Sequence, residues 1–160
     1  MADAQRLLDH CRAREGWLIE TIEAMVRLES PTDDTAAVNR CGEELSSRLT
    51  ALGGHVTPIF AATAGHHLRA EFGTGTRQLL LLGHFDTVWP VGQLHTMPLA
   101  REGDSLRGPG IFDMKGGIGL GMLATDALFA VAPPRNCRIV MLWTTDEETG
   151  SATSRALVET

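Results

Sequence analysis

Apolar positions at Leu7, Leu8, Cys11, Leu18, Ile22, Met25 and Val26 recur at mostly helical spacing and predict a helix over residues 3–28, interrupted near Gly16. The segment "SPTDD" at 30–34 breaks that pattern and supplies capping side chains. A second helix is expected from about Thr35 to Leu52, closed by Gly53-Gly54. Two β-like stretches follow, "HVTPIFA" (55–61) and "HHLRAEFG" (66–73), and Pro58 confines the first to a sheet edge. The pattern then changes. "RQLLLLGHFD" (77–86) and "CRIVMLWTTD" (137–146) carry unbroken apolar runs, which suit strands covered on both faces, as in a parallel sheet. A Pro/Gly-rich loop (about 89–112) and a helix from about Met114 to Val131 lie between them. Strand, crossover helix and strand make a βαβ unit. The chain therefore reads as α/β, with a mixed, largely parallel sheet and helices on both faces.

Composition narrows the function classes. With 160 residues, 43% hydrophobic and 21% charged, the chain has the length and apolar share of one folded domain. A net charge of -6 argues against a nucleic-acid partner, which would call for a basic face. No uninterrupted apolar run approaches the roughly 20 residues of a membrane span, so no membrane partner is expected. The start "MADAQRLLDHCRAREGW" has no apolar signal core. Cys11, Cys41 and Cys137 form neither a disulfide framework nor a thiolate metal motif, and a reducing, cytoplasmic setting is the simplest expectation. Of the 14 basic residues, only Lys115 is a lysine. A lone ammonium among guanidinium groups suggests a place where the larger group does not fit, with chance as the alternative.

In open α/β sheets function gathers beyond the carboxyl ends of the strands. Those ends carry His84 and Asp86 after one apolar run, and Asp146, Glu147 and Glu148 after the other. Asp113 stands in "GPGIFDMKGG", just before the crossover helix. His84 and Asp86 share one face of an extended chain. A carboxylate beside a histidine is the usual support for a metal-binding ring; a surface ion pair is the plainer alternative. Asp113 fits either a helix cap or a site. The crowd of glycines around it, each costing about 0.8–1.0 kcal/mol inside a helix, suggests close backbone approach. The three adjacent acids suit either a solvated helix start at Ser151–Val158 or a division of labour, one binding a cation and one reaching water. A phosphate-binding loop is disfavoured: Lys115 is followed by Gly116, and G-x-G-x-x-G is absent. A thiolate-free His/Asp/Glu set suits Zn²⁺, with Co²⁺ or Mn²⁺ as alternatives.

"LLGHFDTV", "RGPGIFDMKGG" and "TTDEETGS", in this order and spacing, resemble the co-catalytic zinc exopeptidases. That family includes aminoacylases, acetylornithine deacetylase, succinyl-diaminopimelate desuccinylase and glutamate carboxypeptidase, the last branch being the most similar. The resemblance implies His84, Asp113 and Glu148 as ligands of two Zn²⁺ ions, with Asp113 bridging them. It implies Glu147 as general base to a zinc-bridging water, Asp86 as the catalytic support behind His84, and Lys115 as the lysine that follows the bridging aspartate. The implied activity is a metallo-carboxypeptidase or N-acyl amino acid deacylase, with a small peptide or N-acyl amino acid as substrate and a homodimeric full-length form.

The resemblance also implies what residues 1–160 do not contain. A further carboxylate ligand, a second histidine ligand and a smaller lid or dimerisation domain are expected beyond Thr160. The chain then corresponds to the N-terminal part of the catalytic domain. The alternative function is a catalytically incomplete fragment. His10, His55, His66, His67 and His95 match no family ligand and are expected at the surface or in packing.

Overall fold

The computed structural model describes residues 2–159. Three helices come first: α1 (Ala2–Ala13), α2 (Glu15–Arg27) and α3 (Thr35–Ala51). The break between the first two falls at Arg14 rather than Gly16. The Arg14 side chain lies 3.2 Å from Asp126 and stacks over Trp17, so it is held away from the helix path. Asp34 caps α3, its Oδ1 accepting from Ala37 N at 2.9 Å.

Strands β1 (His55–Ile59), β2 (His67–Thr74) and β3 (Arg77–His84) follow, then a small hairpin of β4 (Ala100–Glu102) and β5 (Ser105–Arg107). That hairpin lies within the segment expected to be loop; three-residue strands are too short to show a period. Helix α4 (Gly116–Val131), strand β6 (Cys137–Thr144) and the one-turn α5 (Arg155–Val158) complete the chain. The sheet order is β1-β2-β6-β3, with β3 and β6 parallel and both other pairings antiparallel. The mixed α/β class therefore holds, but the sheet is not largely parallel, because a short β1–β2 connection delivers an antiparallel pair to one side of β6.

Alternation along β6 divides the two faces of the sheet. Ile139, Met141 and Trp143 join Leu68, Ala70 and Phe72 of β2 in one core with α2, α3 and α4. Glycine lets α4 approach α2: a Cβ on Gly119 would stand 2.9 Å from Ile22 Cγ1. The other face carries Leu80, Leu82, Val140 and Leu142, and only α5 reaches it, through Leu157 and Val158. Four of the five helices thus lie on one side and the short α5 on the other, so helices cover both faces, but unequally. β6 is buried at Ile139–Thr144 as its apolar run predicts. β3 is not: Leu79, Leu80 and Leu82 are 50%, 44% and 47% exposed, because β3 pairs on one side only.

The segment Ile111–Val131, 21 residues with a mean hydropathy of 1.2, is long and apolar enough to cross a membrane, contrary to the expectation from uninterrupted runs. In this fold it packs against α1, α2 and β3, with Ile118, Met122, Leu123 and Ala127 buried. The charged residues Asp113, Lys115 and Asp126 interrupt its sequence.

Candidate metal centre

Parallel pairing of β3 with β6 brings their carboxyl ends level, with His84 opposite Thr144. The chains leaving those ends carry the two acidic clusters. Between them the crossover enters α4 through an irregular turn at Ile111–Lys115, where Asp113 and Met114 leave helical dihedrals and their peptide is cis. Gly110 opens this turn at φ +72, and a Cβ there would meet Thr87 Cγ2 at 2.6 Å. Asp113 does not cap α4, since Lys115 holds that position. Its Oδ1 instead lies 3.0 Å from His84 Nε2.

Among the described residues, His84, Asp113 and Glu148 form a group whose candidate ligand atoms all lie within 4.8 Å of one another. Glu147 Oε2 stands 3.7 Å from His84 Nε2. On the other side of the ring, His84 Nδ1 lies 3.1 Å from the Asp86 carbonyl oxygen and 3.4 Å from Asp86 Oδ1. Asp86 is fully buried, and its Oδ2 accepts from Thr32 Oγ1 at 2.7 Å and from Glu148 N at 3.3 Å. One carboxylate thus holds the histidine from behind and the backbone of a second candidate ligand. Thr32 is a support that sequence reasoning missed. The only signal was its place in "SPTDD", a segment that runs beside the β3 extension through Ser30 Oγ to Phe85 O and Thr87 N to Ser30 O.

The acids do not begin an α-helix. Glu147–Thr149 form a single 3-10 turn, and Gly150 and Ser151 take positive φ, so α5 starts only at Arg155. Lys115 is buried and donates to the carbonyls of Met25 at 2.8 Å and Leu28 at 3.2 Å, at the end of α2. A compact ammonium fits this narrow place. Burial lowers its pKa, against the opposing pull of Cys41, Glu29 and Asp86. Of the five other histidines, His67 is 1% exposed and belongs to a hydrogen-bond network that its reading as a surface or packing residue did not foresee.

The electrostatics are those of a place that favours a cation. Burial alone would lower the His84 pKa. The Asp86 bond and charge, the Asp113 bond and the Glu147 charge outweigh it and raise the value to about 9. Glu148 is raised too, first by burial and then by the charges of Asp113, Asp86 and Glu147, with His84 opposing. A raised carboxyl and a protonated imidazole are what crowded acids produce when a proton serves as their counter-cation. One imidazole, two carboxylates and no thiolate fit a hard or borderline divalent cation.

Fold and side chains together define an α/β domain with a candidate His/Asp/Glu metal-binding group at the carboxyl rim of its sheet. Residues 80–160 match the model of peptidase family M20/M25/M40, and the chain belongs to that family of metallopeptidases. It is 35% identical over 145 residues to carboxypeptidase G2 of Pseudomonas sp. (strain RS-16), covering 89% of this chain and 35% of the relative. It is 32% identical over 130 residues to succinyl-diaminopimelate desuccinylase of Xylella fastidiosa (strain M23), covering 78% and 33%. Human carnosine dipeptidase 1 shares the fold, with a TM-score of 0.81 at 20% identity over 97% of this chain and 37% of that one. The chain spans about a third of the length of the curated relatives it matches.

Proposed function

We propose that this chain carries the N-terminal half of a zinc-dependent amide-hydrolysing centre, with His84, Asp113 and Glu148 holding the cation and Glu147 as general base. The observation that carries this reading is the convergence of the three ligand atoms within 4.8 Å, with Glu147 beside them and outside the set. When bound, the cation lowers the pKa of water and polarises a carbonyl. Glu147, half exposed, accepts the proton of the attacking water and returns it to the leaving amine. Asp86 keeps Nε2 of His84 directed at Asp113 by engaging Nδ1 from behind, through its main-chain carbonyl at 3.1 Å and the charge of its Oδ1 at 3.4 Å. If the site takes two ions, Asp113 would be the carboxylate shared between them, as the family resemblance implies. An amide of a small peptide or N-acyl amino acid is the proposed substrate, in line with the carboxypeptidase and desuccinylase to which the chain is similar.

A second reading is that residues 1–160 bind the cation without turning over substrate; the span of only a third of the relatives favours it. Calorimetric titration with Zn²⁺, followed by hydrolysis assays on dipeptides and N-acyl amino acids, separates the two. Zinc binding with turnover that is lost in Glu147→Gln supports the first reading. Zinc binding without turnover supports the second. A chain that takes up no divalent cation overturns both.

A further inference from the structure

Glu147 and Glu148 point where they do because the turn that carries them is closed by Asp146. The Asp146 carbonyl accepts from Ser151 N at 2.7 Å and Thr149 N at 3.4 Å. Its Oδ2 accepts from Thr153 N at 2.6 Å, Thr153 Oγ1 at 2.8 Å and Ser154 N at 3.3 Å. Asp146 is 3% exposed, so it supports the turn from within and does not face a cation. Burial would raise its pKa, but the bonds from Ser154 and Thr153 hold it below the ordinary value.

Behind this carboxylate lies His67. Its Nε2 is 3.0 Å from Thr153 Oγ1, and its Nδ1 is 3.0 Å from Thr145 Oγ1. The one hydroxyl hydrogen of Thr153 is committed to Asp146, so Thr153 Oγ1 can only accept from the ring, and Nε2 carries the hydrogen. Thr145 can then turn its hydrogen to Nδ1 or to the Gly65 carbonyl, which it also reaches. Burial lowers the His67 pKa against the charges of Asp146 and Asp86, which favours the neutral ring that this arrangement uses. The chain of contacts runs His67, Thr153, Asp146, and then the turn.

We propose that His67 and Thr153 are positioning residues for the metal centre, holding the 147–154 turn through Asp146 so that Glu148 faces His84 and Asp113 while Glu147 stays beside them. This rests on the metal-centre reading above. Among the described residues, His67 and Thr153 hydrogen-bond to Thr145, Asp146 and each other, and not to the His84–Asp113–Glu148 group. Loss of the ring donor or the hydroxyl would loosen the Glu148 backbone, which is also tied across the site by the 3.3 Å bond to Asp86.

The test uses the 160-residue chain and Thr153→Val, His67→Leu and His67→Gln variants, with Co²⁺ titration and amide hydrogen exchange. Thr153→Val and His67→Leu are expected to bind Co²⁺ about tenfold more weakly, the lower end of the usual effect of removing a supporting contact. Thr153 and Ser154 amides should lose protection in both. His67→Gln, whose amide can donate to Thr153, should return both measures toward wild type. If His67→Leu does not fold, Thr153→Val decides alone. Wild-type affinity in Thr153→Val overturns the proposal, with or without a change in protection. If the wild-type chain takes up no Co²⁺, the metal-centre reading fails, and unchanged protection in Thr153→Val then overturns the present proposal separately.

Discussion

The Asp86 carboxylate receives the backbone N–H of Glu148 at 3.3 Å, so the group that steadies His84 also fixes a second candidate ligand. Removing it touches both at once. Asp86→Ala is expected to weaken Zn²⁺ or Co²⁺ binding by about 10–100-fold, the range for residues that orient metal ligands. Titration calorimetry at constant pH measures it. Thr32→Val, which removes only the 2.7 Å bond to Asp86, should weaken binding less.

Much of this was legible in the sequence, because strand ends are easy to locate. The apolar runs of β3 and β6 marked where His84, Asp86 and the three acids emerge, and the crossover placed Asp113 between them. What stayed hidden depends on contacts between distant segments. Nothing local marks Thr32 as a partner of Asp86, 54 residues away, or His67 as a partner of Thr153, 86 residues away. Apolar runs also report hydrophobicity and not coverage. β3 and β6 read alike, yet only β6 has a strand on both sides. The division of the three acids was legible only in part: the sequence offers two tasks for three carboxylates, and the turn-closing role of Asp146 arises from Ser151, Thr153 and Ser154, which one reading placed in a helix.

The pH dependence of the metal-free protein follows from His84. Its folded pKa is raised from 6.5 to about 9, so the unfolded chain gives up that proton first as pH rises. The stabilisation is fully present below pH 6.5 and is lost as pH rises through about 9. Two to three pKa units correspond to on the order of 3 kcal/mol. In EDTA the melting temperature should fall between these limits. His84→Gln should remove most of that slope. With Zn²⁺ bound the slope should flatten, because the ligand is then deprotonated and binding itself releases the proton.

Lys115 fastens the Asp113 turn to the end of α2, through the carbonyls of Met25 and Leu28. Glu29, next along the chain, accepts from Gly92 N at 2.8 Å and Leu94 N at 2.9 Å, so two loops at the rim are pinned to one helix terminus. Lys115→Ala leaves two carbonyls without this donor and opens a cavity. It should cost about 3 kcal/mol in urea denaturation, within the range for lost bonds to a charged group. Lys115→Arg should also destabilise, because a larger guanidinium has to be fitted into a site that is already buried. A shift in the denaturation midpoint for both variants, with little change in slope, would mark a loss of stability rather than a change in the unfolded state.

The exposed leucines of β3 give the last expectation. Leu80 and Leu82 are 44% and 47% exposed on the face away from the long helices, and the strand offers an unpaired edge beyond them. Arg77 and Gln78 are the only polar side chains before Gly83, and there is no proline to blunt the edge. A flat apolar edge of this length templates strand pairing between molecules. The chain should therefore scatter light increasingly with concentration. Leu82→Lys should reduce that scattering several-fold while leaving the circular dichroism spectrum unchanged, since the side chain lies outside the core formed by Met141 and Trp143. Met141→Lys, one position on the buried face of the neighbouring strand, should instead unfold the domain. Opposite outcomes on two strands of one sheet would confirm that the β3 leucines are exposed because β3 is an edge strand and not because the strand is poorly formed.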